Sequence, residues 1–129
     1  QWNVKGISIT LKLMMMNNFW TATVFLIVAH IVTWVQLNGQ FKWEWFKEHE
    51  NWVVLIFAIP VAWLFINYQK LGYLAFDGSL WSLRLVGFSI GIIVFFFMTW
   101  CISYELPSVK NFICLSLAIL IIGIQTFLK

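Results

Sequence analysis

Long apolar stretches, separated by short polar segments, make up most of this chain. The stretches cover residues 19–37, 52–68, 83–104 and 112–128. Each falls within the range of about 17–25 residues that a helix needs to cross a bilayer, and each is too long for a buried strand. The last three have no charge at their centres, where one would cost about 2.5–3.5 kcal/mol on insertion. We therefore predict an all-α membrane protein: a single domain over residues 1–129 with four transmembrane helices and short loops.

The connecting segments carry most of the polar residues. Residues 38–51 alternate charged with aromatic side chains, which is typical of a segment at the level of the lipid headgroups. Residues 77–79 read Asp-Gly-Ser, a turn signal. In the third connection, at 105–108, Pro107 or Ser108 suits the first turn of the last helix.

Residues 1–17, which precede the first span, are open to two interpretations. The chain begins with Gln1 rather than methionine, and Met14, Met15 and Met16 follow a weakly hydrophobic stretch. The natural start is one of these methionines, or the leader is a short amphipathic segment that lies at the membrane interface. A secretory signal peptide is not expected, because no small-residue cleavage site precedes a soluble domain.

Composition supports a membrane protein and argues against several other classes. Hydrophobic residues make up 62% of the chain and charged residues 10%, against about a quarter charged in soluble domains. The net charge of +3 comes from cations scattered between the apolar stretches. These cations are expected to anchor helix ends at the interface, so the partner is the lipid bilayer and not a nucleic acid.

Sequence motifs for catalysis or metal binding are lacking. Cys101 and Cys114 lie in apolar stretches, without a CxxC motif or a pair of histidines, so we expect small buried hydrophobes and no metal site. The sequence has no nucleophile elbow, no phosphate loop and no pair of carboxylates within a span. We expect neither an enzyme nor a bound cofactor.

The distribution of lysine and arginine favours cytoplasmic termini. If both termini share one side, that side holds Lys5, Lys12, Lys70, Arg84 and Lys129, and the other holds Lys42, Lys47 and Lys110. The majority of cations usually lies in the cytoplasm. The difference of five against three is small enough that insertion in both orientations stays open.

His30 is the only ionisable side chain within a predicted span, and such residues are functional candidates. Thr23, Thr33 and Trp34 share its helical face, which should look into the bundle because lipid offers no hydrogen bonds. An imidazole away from water should be neutral and able to accept a proton. Either His30 acts in a substrate pathway, or it is bonded to a neighbouring helix.

Several other residues are candidates for a cavity wall. Pro60 should bend the second span, and Trp63 and Asn67 follow on its face. Trp34, Trp63 and Trp100 lie deeper than the belt of interfacial tryptophans, so they are either packing residues or an aromatic wall. The candidate pathway residues are His30, Thr33, Trp34, Pro60, Trp63, Asn67 and Trp100.

Small residues predict where helices pack closely. Gly87 and Gly91 form a GxxxG pattern in the third span, which lets another backbone approach. Ser116 and Gly123 lie seven residues apart on one face of the fourth span and predict a packing seam there.

Short motifs resemble the drug/metabolite transporter superfamily, especially its small multidrug resistance-like members. They are Ala29-His30, the stretch from Ala62 through Tyr73 to the Asp77–Trp81 turn, and the last connection with the small residues that follow it. The resemblance implies a multi-pass protein of the cell (inner) membrane that moves a small solute as a homodimer, with the fourth span as the seam. Since His30 stands where the family has a glutamate, transport of a neutral or anionic solute, or no transport at all, fits better than export of a cationic drug. The alternative is a non-catalytic subunit of a larger membrane complex.

Overall fold

Helices account for almost all of the structure. The computed structural model describes residues 4–128, with no strand among them. The elements are α1 (Val4–Asn38), a 3-10 turn (Gly39–Phe41), α2 (Glu44–Glu48), α3 (Glu50–Ala75), α4 (Leu80–Ser103) and α5 (Val109–Phe127). In the described part of the chain, four of these helices are long and apolar enough to cross a membrane. The predicted fold class is confirmed: this is a multi-pass, all-α membrane protein.

The helices extend beyond the apolar stretches that predict them. The 35 residues of α1 span about 52 Å, against about 30 Å for the hydrocarbon core. Most of the predicted leader therefore continues the first helix, because its leucines, lysines and methionines are good helix formers. Helix α3 likewise continues about two turns past the predicted end at Tyr68, to Ala75.

The turn between α3 and α4 uses residues that tolerate left-handed backbone. Asp77 and Gly78 have φ values of 50° and 80°, a conformation that costs glycine nothing and asparagine or aspartate little. The Gly78 N–H donates to the Tyr73 carbonyl over 2.8 Å. Ser79 then caps α4, its Oγ accepting a bond of 3.2 Å from the N–H of Ser82. The Asp-Gly-Ser turn predicted from the sequence is present.

Helix α1 is the centre of the bundle. It packs along α3 and α4, while α5 packs against α4. Helix α3 meets α4 less extensively, through Tyr68 and Gly72. The largest group of buried core residues comprises Ala22, Leu26, Tyr68, Leu83, Val86, Ile90 and Val94. We call the side that holds the start of α1, the 76–79 turn and the end of α5 the terminal side. The opposite side, with α2 and residues 104–108, is the loop side.

One face of α5 packs, and the opposite face is bare. Ala118 is buried, Ile122 packs against the core, and Gln125 Oε1 accepts a bond of 2.9 Å from Ser82 Oγ. Ser116 is exposed, and a side chain added at Gly123 would meet nothing within 4 Å. The seam predicted at Ser116 and Gly123 thus faces away from the other helices of the same chain.

Residues of the first connection hold the loop side together. The Lys42 ammonium donates to the carbonyl of Ile102 at the end of α4 and lies 5.0 Å from the centre of the Tyr104 ring. Such a cation stabilises the exposed carbonyls of a helix C-terminus. Gly39 is buried against the ring of Phe46, which leaves no room for a side chain there.

Candidate functional site: a cavity between α3 and α4

A cavity of about 450 Å³ opens where α3 and α4 diverge, with α1 as its floor. Its lining comprises Leu26 and His30 of α1, Phe65, Tyr68 and Gln69 of α3, and Leu83, Arg84, Gly87, Phe88, Gly91, Ile92 and Phe95 of α4. The volume is within the range of about 300–1,000 Å³ of small-molecule sites. The cavity contains no described residue of α5, so one chain supplies the site from three helices.

His30 lines this cavity between its two ends, beside Gly87 and Gly91 of α4. Its Nε2 is 3.2 Å from the carbonyl oxygen of Gly87, and its ring meets the Phe65 ring edge to face, with the centroids 5.4 Å apart. A carbonyl can only accept, so Nε2 carries the hydrogen in this bond and Nδ1 is the nitrogen that can accept a proton. The sequence left open a pathway role or a bond to a neighbouring helix. The structure shows the bond to α4 and places His30 in a cavity wall, while the pathway role stays a prediction.

The GxxxG pattern of α4 makes room for two rings. A Cβ atom at Gly91 would lie 2.7 Å from Cε1 of His30, and one at Gly87 would lie 3.0 Å from the hydroxyl of Tyr68. Tyr68 in turn donates a hydrogen bond of 2.5 Å to the carbonyl of Leu83. The sequence predicted that another backbone would approach closely at these glycines. In the structure, the space beside them is filled by side chains of α1 and α3 instead.

The terminal-side end of the cavity is polar. Gln69 and Arg84 line it and are exposed, as is the ring of Phe88 beside them. From Arg84 to Phe95 the cavity follows α4 for about 16 Å, from the interface towards the middle of the span. No carboxylate lines it among the residues that the structure describes.

Three predicted pathway residues lie nearer the loop side, outside this cavity. Trp34 is buried, and its Nε1 donates a hydrogen bond of 3.0 Å to Oγ1 of Thr99 on α4. Thr33 has a buried hydroxyl with no hydrogen-bond partner in the described part of the chain. Trp100 lines a separate cavity of about 360 Å³ between α4 and α5, with Glu105 and Asn111 at its edge.

The predicted residues of α3 also lie outside the cavity. Pro60 is exposed, and α3 continues through it. Trp63 is 57% exposed, and its ring lies at 72° to the Phe25 ring, with the centroids 5.6 Å apart. The side-chain amide of Asn67 donates a hydrogen bond of 2.8 Å to the Trp63 carbonyl of the same helix. The cavity uses the next turn of α3 instead, at Tyr68 and Gln69.

The sequence carried a signal for the residues that the prediction missed. Gln69 closes the second apolar stretch and Arg84 opens the third, and a turn signal lies between them. Two polar residues flanking a helical hairpin reach the same side of the membrane. That juxtaposition marks the polar end of the cavity. The sequence does not show that α3 and α4 diverge from there towards the loop side.

Other polar groups add little to the description of this site. Ser89 is fully buried on α4, and its hydroxyl has no hydrogen-bond partner among the described residues. Within residues 4–128, no group of three or more histidines, cysteines or acids is placed to hold a metal ion.

Neither a family model, nor a curated protein, nor a solved structure matches this chain.

Proposed function

We propose that this protein is a small transporter-like protein of the cell (inner) membrane that moves a small solute and works as a homodimer. The observation that carries the proposal is the cavity that reaches from the terminal-side interface to His30, near the middle of the first span. An ionisable residue at that depth is a functional candidate, and a cavity of this volume suits a small molecule. Kinship with small multidrug resistance-like proteins is part of the same proposal and is supported by the short motifs given above.

The charges around the cavity favour a neutral or anionic solute. Arg84 is its charged lining residue, and no carboxylate accompanies it in the described part of the chain. A cationic solute would therefore meet a like charge at the entrance and no counter-charge inside. A neutral His30 could still accept a hydrogen bond at Nδ1 from an uncharged group, because its one N–H is bonded to the Gly87 carbonyl.

The bare face of α5 supports pairing with a second copy. Ser116 and Gly123 lie two turns apart on that face, and the space beside Gly123 is open. Small residues at such spacing let two membrane helices approach closely, which is the main source of helix association in lipid.

Solute flux tests the role of His30. In proteoliposomes we expect uptake of labelled benzenesulfonate, a permanent anion, or of labelled glucose, a neutral solute. Replacing His30 with alanine should lower the uptake of glucose, whose hydroxyls can donate to Nδ1, by roughly fivefold, the equivalent of one hydrogen bond of about 1 kcal/mol. If Nδ1 accepts a proton during transport, an imposed proton gradient should change the wild-type flux and leave the variant's flux unchanged.

The second histidine of the chain supplies the matched control. His49 lies on the loop side between α2 and α3, outside the cavity, so His49→Ala should transport like the wild type. Equal flux in wild type and His30→Ala, with or without the gradient, would make His30 a packing residue. If the wild type took up neither solute, the proposal that the protein transports benzenesulfonate or glucose would be contradicted.

The mass of the solubilised protein tests the homodimer. In a mild detergent we expect twice the 15.2 kDa of one chain. Gly123→Leu should yield monomers without unfolding them, because the added side chain enters open space in one chain but fills the proposed seam. Ala58→Leu adds a similar bulk on an exposed position of α3 and should leave the dimer intact. A monomeric wild type, or a dimeric Gly123→Leu, would contradict pairing through α5.

One feature favours the alternative, a subunit of a larger membrane complex. Residues 8–17 of α1 are exposed and include apolar side chains such as Ile9, Leu11 and Leu13, at 55–60% exposure. They continue the helix beyond the length needed to span a bilayer, so they would suit contact with another protein. Co-purification of a stoichiometric partner in mild detergent would support that function instead.

A further inference from the structure

The cavity between α3 and α4 is polar at one end and apolar at the other. Gln69 and Arg84 lie at the terminal-side end, and Phe95 lies about 16 Å further along α4. Between them most of the wall is aromatic or aliphatic, with Phe65 and Phe88 on opposite helices, and the His30 imidazole is its ionisable group. This separation fits a molecule that has a polar head and an apolar body.

The depth of Arg84 places the polar end at the level of the headgroups. Arg84 lies just over one turn after α4 begins at Leu80, and its side chain is exposed. Basic residues between helices at this level bind anionic headgroups, and guanidinium matches a carboxylate with two parallel hydrogen bonds.

The terminal side as a whole is positively charged, like Arg84 itself. Among side chains that the structure describes, this side carries Lys12, Lys70 and Arg84 against Asp77. The loop side carries Lys42, Lys47 and Lys110 against Glu44, Glu48, Glu50 and Glu105. An anion is therefore attracted to the side on which the cavity opens.

We propose that the cavity binds a single-chain anionic amphiphile, with its carboxylate at Arg84 and Gln69 and its chain running along α4 towards His30 and Phe95. The exposed Phe88 at the edge suggests entry from the adjoining leaflet rather than from water. This inference rests on the proposed function, since it names the class of solute that the same site would take.

Photo-crosslinking in nanodiscs of neutral phosphatidylcholine tests the proposal. The probe is a dodecanoate with a diazirine near the end of its chain, and the labelled peptides are identified by mass spectrometry. We expect labelling of α4 around Ile92 and Phe95, competed by dodecanoate and much less by dodecanol, which has the same chain without the charge. Arg84→Gln should reduce labelling at least about tenfold, as expected for loss of a charge-assisted hydrogen bond.

Controls separate the site from general surface charge. Lys70→Gln removes an exposed cation of the same side that does not line this cavity, and it should label like the wild type. Arg84→Lys keeps the charge and should retain most of the labelling. The proposal is overturned if dodecanol competes as well as dodecanoate, if Arg84→Gln labels like the wild type, or if the labelled peptides lie outside the cavity.

The outcome is distinguishable from that of the transport experiment. Arg84-dependent labelling without flux would support the binding site and argue against transport. Flux of benzenesulfonate or glucose without labelling would support transport and contradict an amphiphile as the ligand.

Discussion

Replacing Trp34 with alanine should lower the free energy of unfolding by about 3–5 kcal/mol, whereas the same change at Trp63 should cost about 0.5–1.5 kcal/mol. Both are tryptophans within apolar stretches, but Trp34 is 3% exposed and Trp63 is 57% exposed. Removal of Trp34 would leave a cavity between α1 and α4 and delete the bond to Thr99. Removal of Trp63 would delete one ring contact, with Phe25.

Unfolding in mixed micelles with increasing SDS measures both variants under the same conditions. Trp34→Phe separates the hydrogen bond from the ring, and a double-mutant cycle with Thr99→Val should give a coupling of about 0.6–1.7 kcal/mol, the usual range between membrane helices. Equal losses for Trp34→Ala and Trp63→Ala would contradict the burial on which the difference depends.

These two tryptophans also show what the sequence alone could predict. Apolar length predicts that each lies in a spanning helix, and both do. Which face of a helix meets a neighbour depends on how the helices pack, and lipid favours aromatic side chains nearly as well as a core does. For this reason hydropathy could not separate Trp34, which packs on α4, from Trp63 and from Trp100, which lines another cavity.

Helix ends were less predictable than helices. The span predicted at 19–37 lies within a helix that begins at Val4, because hydropathy marks where lipid is needed and helix propensity continues past it. Ser79 caps α4 by a recognisable side-chain bond, so the start of that helix is close to the beginning of its apolar stretch.

The candidate site was predictable in part. His30 was identified because it is the only ionisable residue within a span, and it does line the cavity. Arg84 and Gln69 carry no motif, and their meeting depends on the turn at 77–79 and on the divergence of α3 from α4. The glycines at 87 and 91 were recognised as small, but the rings that occupy the space beside them belong to other helices.

Gly91→Ala should destabilise the fold by about 1–3 kcal/mol, although alanine is the better helix former. The new Cβ would lie 2.7 Å from Cε1 of His30, so the ring must move. A free side chain could move at little cost, but this ring is bonded to the Gly87 carbonyl and packed on Phe65. Its displacement therefore breaks those contacts.

A matched pair and a rescue test this explanation in the same SDS titration. Gly123→Ala makes the identical change where nothing lies within 4 Å of the new atom, and it should leave stability unchanged or slightly raised. In a His30→Ala background the obstructing ring is gone, so adding Gly91→Ala should cost little or nothing. A full loss of about 1–3 kcal/mol in that background would show that the glycine is required for some contact other than the imidazole. Little or no loss of stability in that background would establish that Gly91 is small because His30 occupies the space beside it.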